Sequence, residues 1–242
     1  MLRIFPNTDE LNDFAAEKFI ETGNSAIKSN KRFAVALAGG STPKSLYAFL
    51  TSEKYRDQMD WEKVFFFFGD ERDVPPDSAK SNFRMANESL LEPLQISENN
   101  IFRWRTELPE AEQIAGNYAE TLRRFFNLRD NEFPRFDLIL LGMGEDGHTA
   151  SLFPFSDALN ETKKITVTNQ VKQLDTTRFT LTFPTINNAA NILFLVAGDA
   201  KAAALKNVLE GESQPEKFPS QRVKPHHGNL FWLVDQSAAK LI

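Results

Sequence analysis

The sequence predicts an α/β fold: a mostly parallel, Rossmann-like sheet with helices on both faces, in one domain spanning 1–242. Three observations carry that reading. The short β-type runs are apolar throughout, without the in–out alternation of a half-exposed sheet, as expected when helices cover both faces. They alternate with stretches of helical periodicity. Four of them end in glycine-bearing polar segments, GGSTPK, GDER, GMGEDGH and GDAK, at the chain positions where an open α/β sheet carries its ligands.

Leu11, Ala15 and Phe19 recur at helical spacing and predict a first helix. Phe33 to Ala38 reads as a buried strand, followed by Gly39-Gly40-Ser41-Thr42-Pro43 and a helix holding Leu46, Phe49 and Leu50. Ser41 or Thr42 suits the N-cap there, and Pro43 the first helical position. Val64 to Phe68 is a second strand, ending in Gly69-Asp70-Glu71-Arg72. One helix follows with Phe83, Ala86, Leu90 and Leu94, and another from about Glu110 to Asn127, with Ile114, Tyr118, Leu122 and Phe125 on one face. Asp137 to Leu141 is a strand and Gly142 to Gly147 a loop. Ile165 to Thr168 and Phe179 to Phe183 read as strands that could pair. Ile192 to Ala197 is fully apolar and leads through Gly198-Asp199 into an alanine-rich helix, Ala200 to Leu209. Gly211 to Gly228, rich in Pro, Gly and charge, reads as a long loop, and Leu230 to Val234 closes the sheet.

Bulk properties narrow the function. Net charge is −5 and no basic run occurs, which argues against a nucleic-acid partner bound through a broad electrostatic footprint. A small anion held by a few local cations remains compatible with that charge. The chain has no cysteine, so disulfides, thiolate nucleophiles and cysteine-ligated metals are excluded. The opening MLRIFPNTDELNDF carries charge early and lacks a long apolar core, and no apolar run approaches the roughly 20 residues of a membrane helix. The expectation is a cytoplasmic enzyme with no membrane partner.

The polar clusters each admit two readings. Gly39 to Lys44 is either an ordinary capped helix after a strand or an anion site built on free N–H groups. Its spacing is not that of a P-loop. Gly142 to Gly147 contains GxGxxG, but Glu145 and Asp146 fill it, and Asn169 stands where a dinucleotide fold needs an acid after the next strand. It reads better as a turn presenting Asp146 and His148. The chain holds three histidines, two of them in the probable loop at His226-His227, so His148 is the leading base near neutral pH. Arg72 could clamp phosphate while Asp70 and Glu71 bind hydroxyls, or the three could be a solvated strand end. Lys201 is equally a phosphate ligand or a surface lysine. No GxSxG elbow and no HExxH spacing appear, which leaves activated water as the nucleophile of a hydrolase.

Taken together, LAGGSTPKSLY, FFGDERDVPPDSAKSNF, DLILLGMGEDGHTASLFP, RFTLTFPTIN and NILFLVAGDAKAAAL, in this order, resemble the 6-phosphogluconolactonase family within the wider group that includes glucosamine-6-phosphate deaminase. The ending PSQRVKPHHGNLFWLVDQSAA resembles the same family. Two positions separate the branches: Arg72 stands where deaminases carry tyrosine, and Phe153 where they carry a glutamate needed for proton relay.

The resemblance implies hydrolysis of a sugar-phosphate lactone, 6-phospho-D-glucono-1,5-lactone, with no organic cofactor and no required metal. His148 is then the general base, with Asp146 or a nearby acid orienting it or binding a sugar hydroxyl. The expected substrate contacts are Gly39, Gly40, Ser41, Thr42, Lys44, Asp70, Arg72, Gly144 and Lys201. Lys44, Arg72 and Lys201 would hold the phosphate, Ser41 and Thr42 would assist, and glycine-loop N–H groups would face the oxyanion. The expected assembly is a monomer or a weak homo-oligomer. The alternatives are a deaminase/isomerase and a non-catalytic sugar-phosphate binding module.

Overall fold

A computed structural model describes residues 1–171 and 174–242. Its strands are β1 (Leu2–Phe5), β2 (Phe33–Leu37), β3 (Val64–Phe68), β4 (Asp70–Arg72), β5 (Leu138–Leu141), β6 (Thr166–Val171), β7 (Thr176–Leu181), β8 (Asn191–Val196) and β9 (Asn229–Asp235). The helices are α1 (Thr8–Asn30), α2 (Ser41–Leu50), α3 (Asn82–Ala86), α4 (Ala111–Phe126), α5 (Phe183–Asn187) and α6 (Ala202–Leu209).

Six strands form a parallel sheet in the order β1-β9-β8-β5-β2-β3. The register pairs Phe33 with Val64, Ala34 with Phe65 and Ala36 with Phe67. Side chains alternate along a strand, so Phe33 and Val64 point to one face and Phe65 and Phe67 to the other. Phe19 of α1 meets Phe33 edge-on at 5.3 Å. Phe125 of α4 meets Phe65 at 5.1 Å and Phe67 at 4.9 Å. Helices therefore cover both faces, which is why Phe33, Ala34, Val35, Ala36 and Leu37 are all buried.

A second sheet, β4-β7-β6, is antiparallel. Gly69 joins the two. Its N–H donates to the carbonyl of Leu37 in the parallel sheet at 2.9 Å, and its carbonyl accepts from Leu181 of β7 at 2.9 Å. The segment Gly69-Asp70-Glu71-Arg72 is thus not only a strand-end loop, as its sequence suggested. Three of its residues pair with β7, setting Arg72 opposite Arg178.

Other boundaries move for physical reasons. β1 escaped the sequence reading because it is four residues long, interrupted by Arg3, and mostly exposed at the sheet edge. The expected N-caps Ser41 and Thr42 lie inside α2, whose N-cap is Gly40 at φ +104°, a conformation open to glycine. The helix expected through Phe83 to Leu94 is α3 followed by a π turn, Asn87–Leu91. Pro184 opens the short α5, so the strand expected to reach Phe183 stops at Leu181. A 3₁₀ turn, Asp199–Lys201, precedes α6. Among the described residues no helix is long and apolar enough to cross a membrane.

From β2 the chain moves outward to β3 and later returns to β5 on the other side of β2. The carboxyl ends of β2 and β5 therefore flank a topological switch point, where open α/β sheets bind ligands.

Candidate active site

β5 delivers the turn that carries His148. The Gly144 N–H donates to the His148 carbonyl at 2.8 Å, and the Gly147 N–H to the Gly144 carbonyl at 3.1 Å. Within this turn Asp146 Oδ1 accepts from the His148 backbone N–H at 3.1 Å and lies 2.6 Å from ring Nδ1. A carboxylate accepts only, so Nδ1 carries the proton and Nε2 is left with its lone pair. Burial pushes the Asp146 carboxyl up, but the bonds from the His148 ring and N–H outweigh that and hold it below the usual carboxylate range. Phe153 stacks on the imidazole, 4.1 Å between centroids. A Cβ on Gly144 would fall 2.1 Å from His148 Nδ1, so the ring can lie there only over glycine.

The neighbouring wall comes from the end of β2. Tyr47 of α2 accepts from the Ala38 N–H at 3.0 Å and donates to the Ala38 carbonyl at 2.7 Å, pinning the strand end. No side chain caps α2. Its first-turn N–H groups have no intrahelical acceptors and, with the helix dipole, favour an anion. Gly39 faces Asn82, whose Oδ1 would stand 1.9 Å from a Cβ at position 39. Asn82 cannot swing aside freely, because its Nδ2 donates to the Asp70 carbonyl at 3.0 Å and to Asp70 Oδ1 at 3.2 Å. Gly39→Ala is therefore expected to overpack this wall by about 1–3 kcal/mol. Thermal unfolding should show a Tm lowered by about 2–10 °C; an unchanged Tm would mean the wall is slack.

The third wall starts at the end of β3. The Phe68 N–H donates to Tyr118 Oη at 2.8 Å and its carbonyl accepts from Trp104 Nε1 at 3.1 Å. Beyond Gly69, Asp70 Oδ2 accepts from Ser151 Oγ at 2.6 Å. Glu71 points away from this side. Its carboxylate accepts from the N–H groups of Asn82 at 2.7 Å and Phe83 at 2.8 Å, and so caps α3. Burial raises the Glu71 carboxyl above its ordinary range, with these backbone bonds opposing the shift. Arg72 donates through Nη1 to the Lys80 carbonyl at 2.6 Å. Arg178, opposite it in register, makes no side-chain hydrogen bond or ion pair among the described residues. Burial lowers the pKa of Arg178 and the neighbouring Arg72 charge lowers it further, against the opposing pull of Asp70 and Glu71.

These walls enclose a cavity of about 340 Å³. Of the residues expected at the site, Gly39, Gly40, Asp70, Arg72, Gly144, His148 and Lys201 line it. Asp146 stands behind His148 rather than on the surface of the cavity. Ser41, Thr42 and Lys44 are absent from the lining; they lie inside α2 beyond its Gly40 cap, and Ser41 and Lys44 are exposed. Gly144 lies on the cavity wall, with its own N–H bound to the His148 carbonyl, closing the turn. Among the described residues the Lys201 ammonium keeps one long contact, with Glu145 at 3.9 Å.

Arg178, Ser151 and Asn82 also line the cavity and were not singled out from sequence. Arg178 had a signal of its own, a cation in the RFTLTFPTIN segment, but its meaning depends on the pairing of β4 with β7.

The chain matches the family model described as glucosamine-6-phosphate isomerases/6-phosphogluconolactonase over residues 6–232. It is 43% identical over 216 residues to a 6-phosphogluconolactonase of Synechocystis sp., covering 89% of this chain and 87% of the relative. To the 6-phosphogluconolactonase of Chlamydia pneumoniae it is 39% identical, over 92% of this chain and 83% of the relative. The solved structure of 6-phosphogluconolactonase from Trypanosoma brucei superimposes with a TM-score of 0.88 at 29% identity, covering 99% of this chain and 97% of that one.

Proposed function

The chain belongs to the family of glucosamine-6-phosphate isomerases and 6-phosphogluconolactonases, and from that premise we propose that it hydrolyses 6-phospho-D-glucono-1,5-lactone to 6-phospho-D-gluconate, the second step of the oxidative pentose phosphate route. The observation that carries the reading is one cavity lined both by His148, oriented by Asp146 behind it, and by a guanidinium without an ion-pair partner among the described residues, Arg178 beside Arg72.

Neutral His148 takes a proton at Nε2 from a water attacking C1 of the lactone. Asp146 holds the productive tautomer and stabilises the imidazolium that forms. Negative charge develops on the carbonyl oxygen, and the backbone N–H groups of Gly39 and Gly40, on the cavity wall at the start of α2, are of the right polarity to meet it. His148 then returns the proton to the ring oxygen as the C1–O bond breaks. Arg178 and Arg72 hold the phosphate dianion, and Lys201 adds a further cation to the cavity wall. Anchoring the phosphate fixes C1 against the base and lowers the entropic barrier. Asp70, already holding Ser151 Oγ, is a hydroxyl acceptor for the sugar.

Phe153 favours this reading over amine chemistry. It presents an aromatic face to His148 where proton relay to an amine would need an acid. The reading extends to a single domain, 1–242, acting in the cytoplasm as a monomer or weak homo-oligomer without cofactor or metal.

The test is a coupled assay on freshly generated lactone, read against its spontaneous hydrolysis. Acceleration over background that is unchanged by EDTA is expected. Ammonia release from glucosamine 6-phosphate, or tight 6-phosphogluconate binding without turnover, would overturn the reading.

A further inference from the structure

The turn bearing His148 is held from behind by a segment that never reaches the cavity. Residues 212–223, part of the long loop between α6 and β9, lie outside the cavity lining. Yet the Ser220 N–H donates to the Gly147 carbonyl at 3.0 Å. Phe218 packs on the same residue: a Cβ on Gly147 would lie 2.9 Å from Phe218 Cδ1 and 3.3 Å from its Cα. On the other flank of His148, the Phe155 N–H donates to the Glu216 carbonyl at 2.9 Å, two residues past the Phe153 ring that stacks on the imidazole.

The segment is itself fixed. Gln221 Nε2 donates to the carbonyls of Asn207 at 2.9 Å and Glu212 at 3.0 Å, and its Oε1 accepts from the Gln214 N–H at 2.7 Å. It is therefore a fixed backing rather than a loose loop, tied to the chain on both sides of the base.

Gly147 sits at φ +79°, one residue from both Asp146 and His148. Small backbone rotations there change the angle between the carboxylate and the ring directly. Glycine alone supplies little restraint on those rotations. We propose that Phe218 and Ser220 are positioning residues for His148: they restrain Gly147 and so keep Nδ1 on Asp146 and Nε2 toward the cavity. This rests on the lactonase reading for its kinetic consequence, but the geometric claim stands independently of the substrate. Because neither residue meets the ligand, their loss acts on the chemical step and spares binding.

The experiment compares Phe218→Ala, Phe218→Leu and Ser213→Ala, the last an exposed residue of the same segment. For Phe218→Ala, kcat should fall about ten- to a hundred-fold, the scale for small misplacement of a catalytic group, with KM within about twofold of wild type. Phe218→Leu should recover most of that loss, and Ser213→Ala should match wild type. Heteronuclear NMR of the ring nitrogens gives a second readout. With three histidines in the chain, the His148 signals are assignable by His148→Gln. Wild type and Ser213→Ala should show one tautomer protonated at Nδ1, and folded Phe218→Ala a mixture. A proportional rise in KM, unchanged kcat, or an undisturbed His148 tautomer in a folded Phe218→Ala protein would overturn the proposal. Should wild type lack lactonase activity, the tautomer measurement still decides it.

Discussion

Replacing His148 with alanine is expected to lower kcat for lactone hydrolysis by about 10²–10⁴-fold, the usual contribution of a positioned general base. KM should change by no more than a few-fold, because the imidazole engages the attacking water and the ring oxygen rather than the phosphate. The prediction has a graded partner. Asp146→Asn keeps the shape of the turn but replaces an obligate acceptor with an amide that can also donate. The 2.6 Å contact to Nδ1 then no longer selects one tautomer. Its loss in kcat should be large but smaller than that of His148→Ala, since a fraction of molecules still presents a bare Nε2. The measurement is the initial rate on fresh lactone after subtraction of spontaneous hydrolysis. A His148→Ala protein that keeps near-wild-type turnover would remove the base from the mechanism. Equal losses in both single variants and the double variant would show that the pair works as one unit.

The second large effect is expected at Arg178. Charged hydrogen bonds contribute about 1.5–3 kcal/mol each, so Arg178→Ala should lower kcat/KM for the phosphorylated lactone by about 10- to 150-fold. The unphosphorylated lactone should be turned over at close to its wild-type efficiency. The ratio between the two substrates is the reading, because it cancels general damage. Arg178→Lys should recover only part, since an ammonium cannot form the planar two-pronged contact of a guanidinium. In the empty protein the sign reverses. Arg178 is half-buried next to Arg72 and makes no ion pair among the described residues; burial and the Arg72 charge outweigh the attraction of Asp70 and Glu71, lower its pKa and oppose folding. Arg178→Ala should therefore not lower Tm without ligand, and saturating 6-phosphogluconate should raise Tm less in this variant than in wild type. Equal loss on both lactones would take the phosphate away from Arg178.

Much of the parallel sheet was legible because burial on both faces writes itself as unbroken apolar runs: FAVAL, VFFFF, LILL and NILFLV are all strands where those runs lie. Their glycine-bearing ends line the cavity for the same reason, since the sheet's carboxyl edge gathers whatever follows each strand. What escaped depends on pairing between distant segments. β1 is too short and too exposed to leave a pattern, and becomes a strand only because β9 offers it an edge. β4 is three polar residues that count as a strand only beside β7. Arg178 is an unremarkable cation until that pairing sets it next to Arg72. The α2 cap was misassigned because serine and threonine are good capping residues, whereas here the positive φ of Gly40 decides where the helix begins. Which acid stands by His148 was open in the sequence, where several carboxylates follow strands; in the structure Asp146 Oδ1 lies 2.6 Å from its Nδ1.

Gly69 stands where one sheet hands the chain to the other, bonded to Leu37 on one side and Leu181 on the other. His148 belongs to a loop of the first sheet, and Arg72 and Arg178 to strands of the second. On the proposed reading the two sheets are the jaws of a caliper, joined through Gly69 and braced by the bond from Ser151 Oγ to Asp70. In that proposal the jaws would take opposite ends of the lactone, and the backbone sets the spacing from which His148 and the two arginines reach inward. Selection in such a device is by length: a sugar phosphate that seats its anion in one jaw presents to the other whichever carbon lies at the right number of bonds.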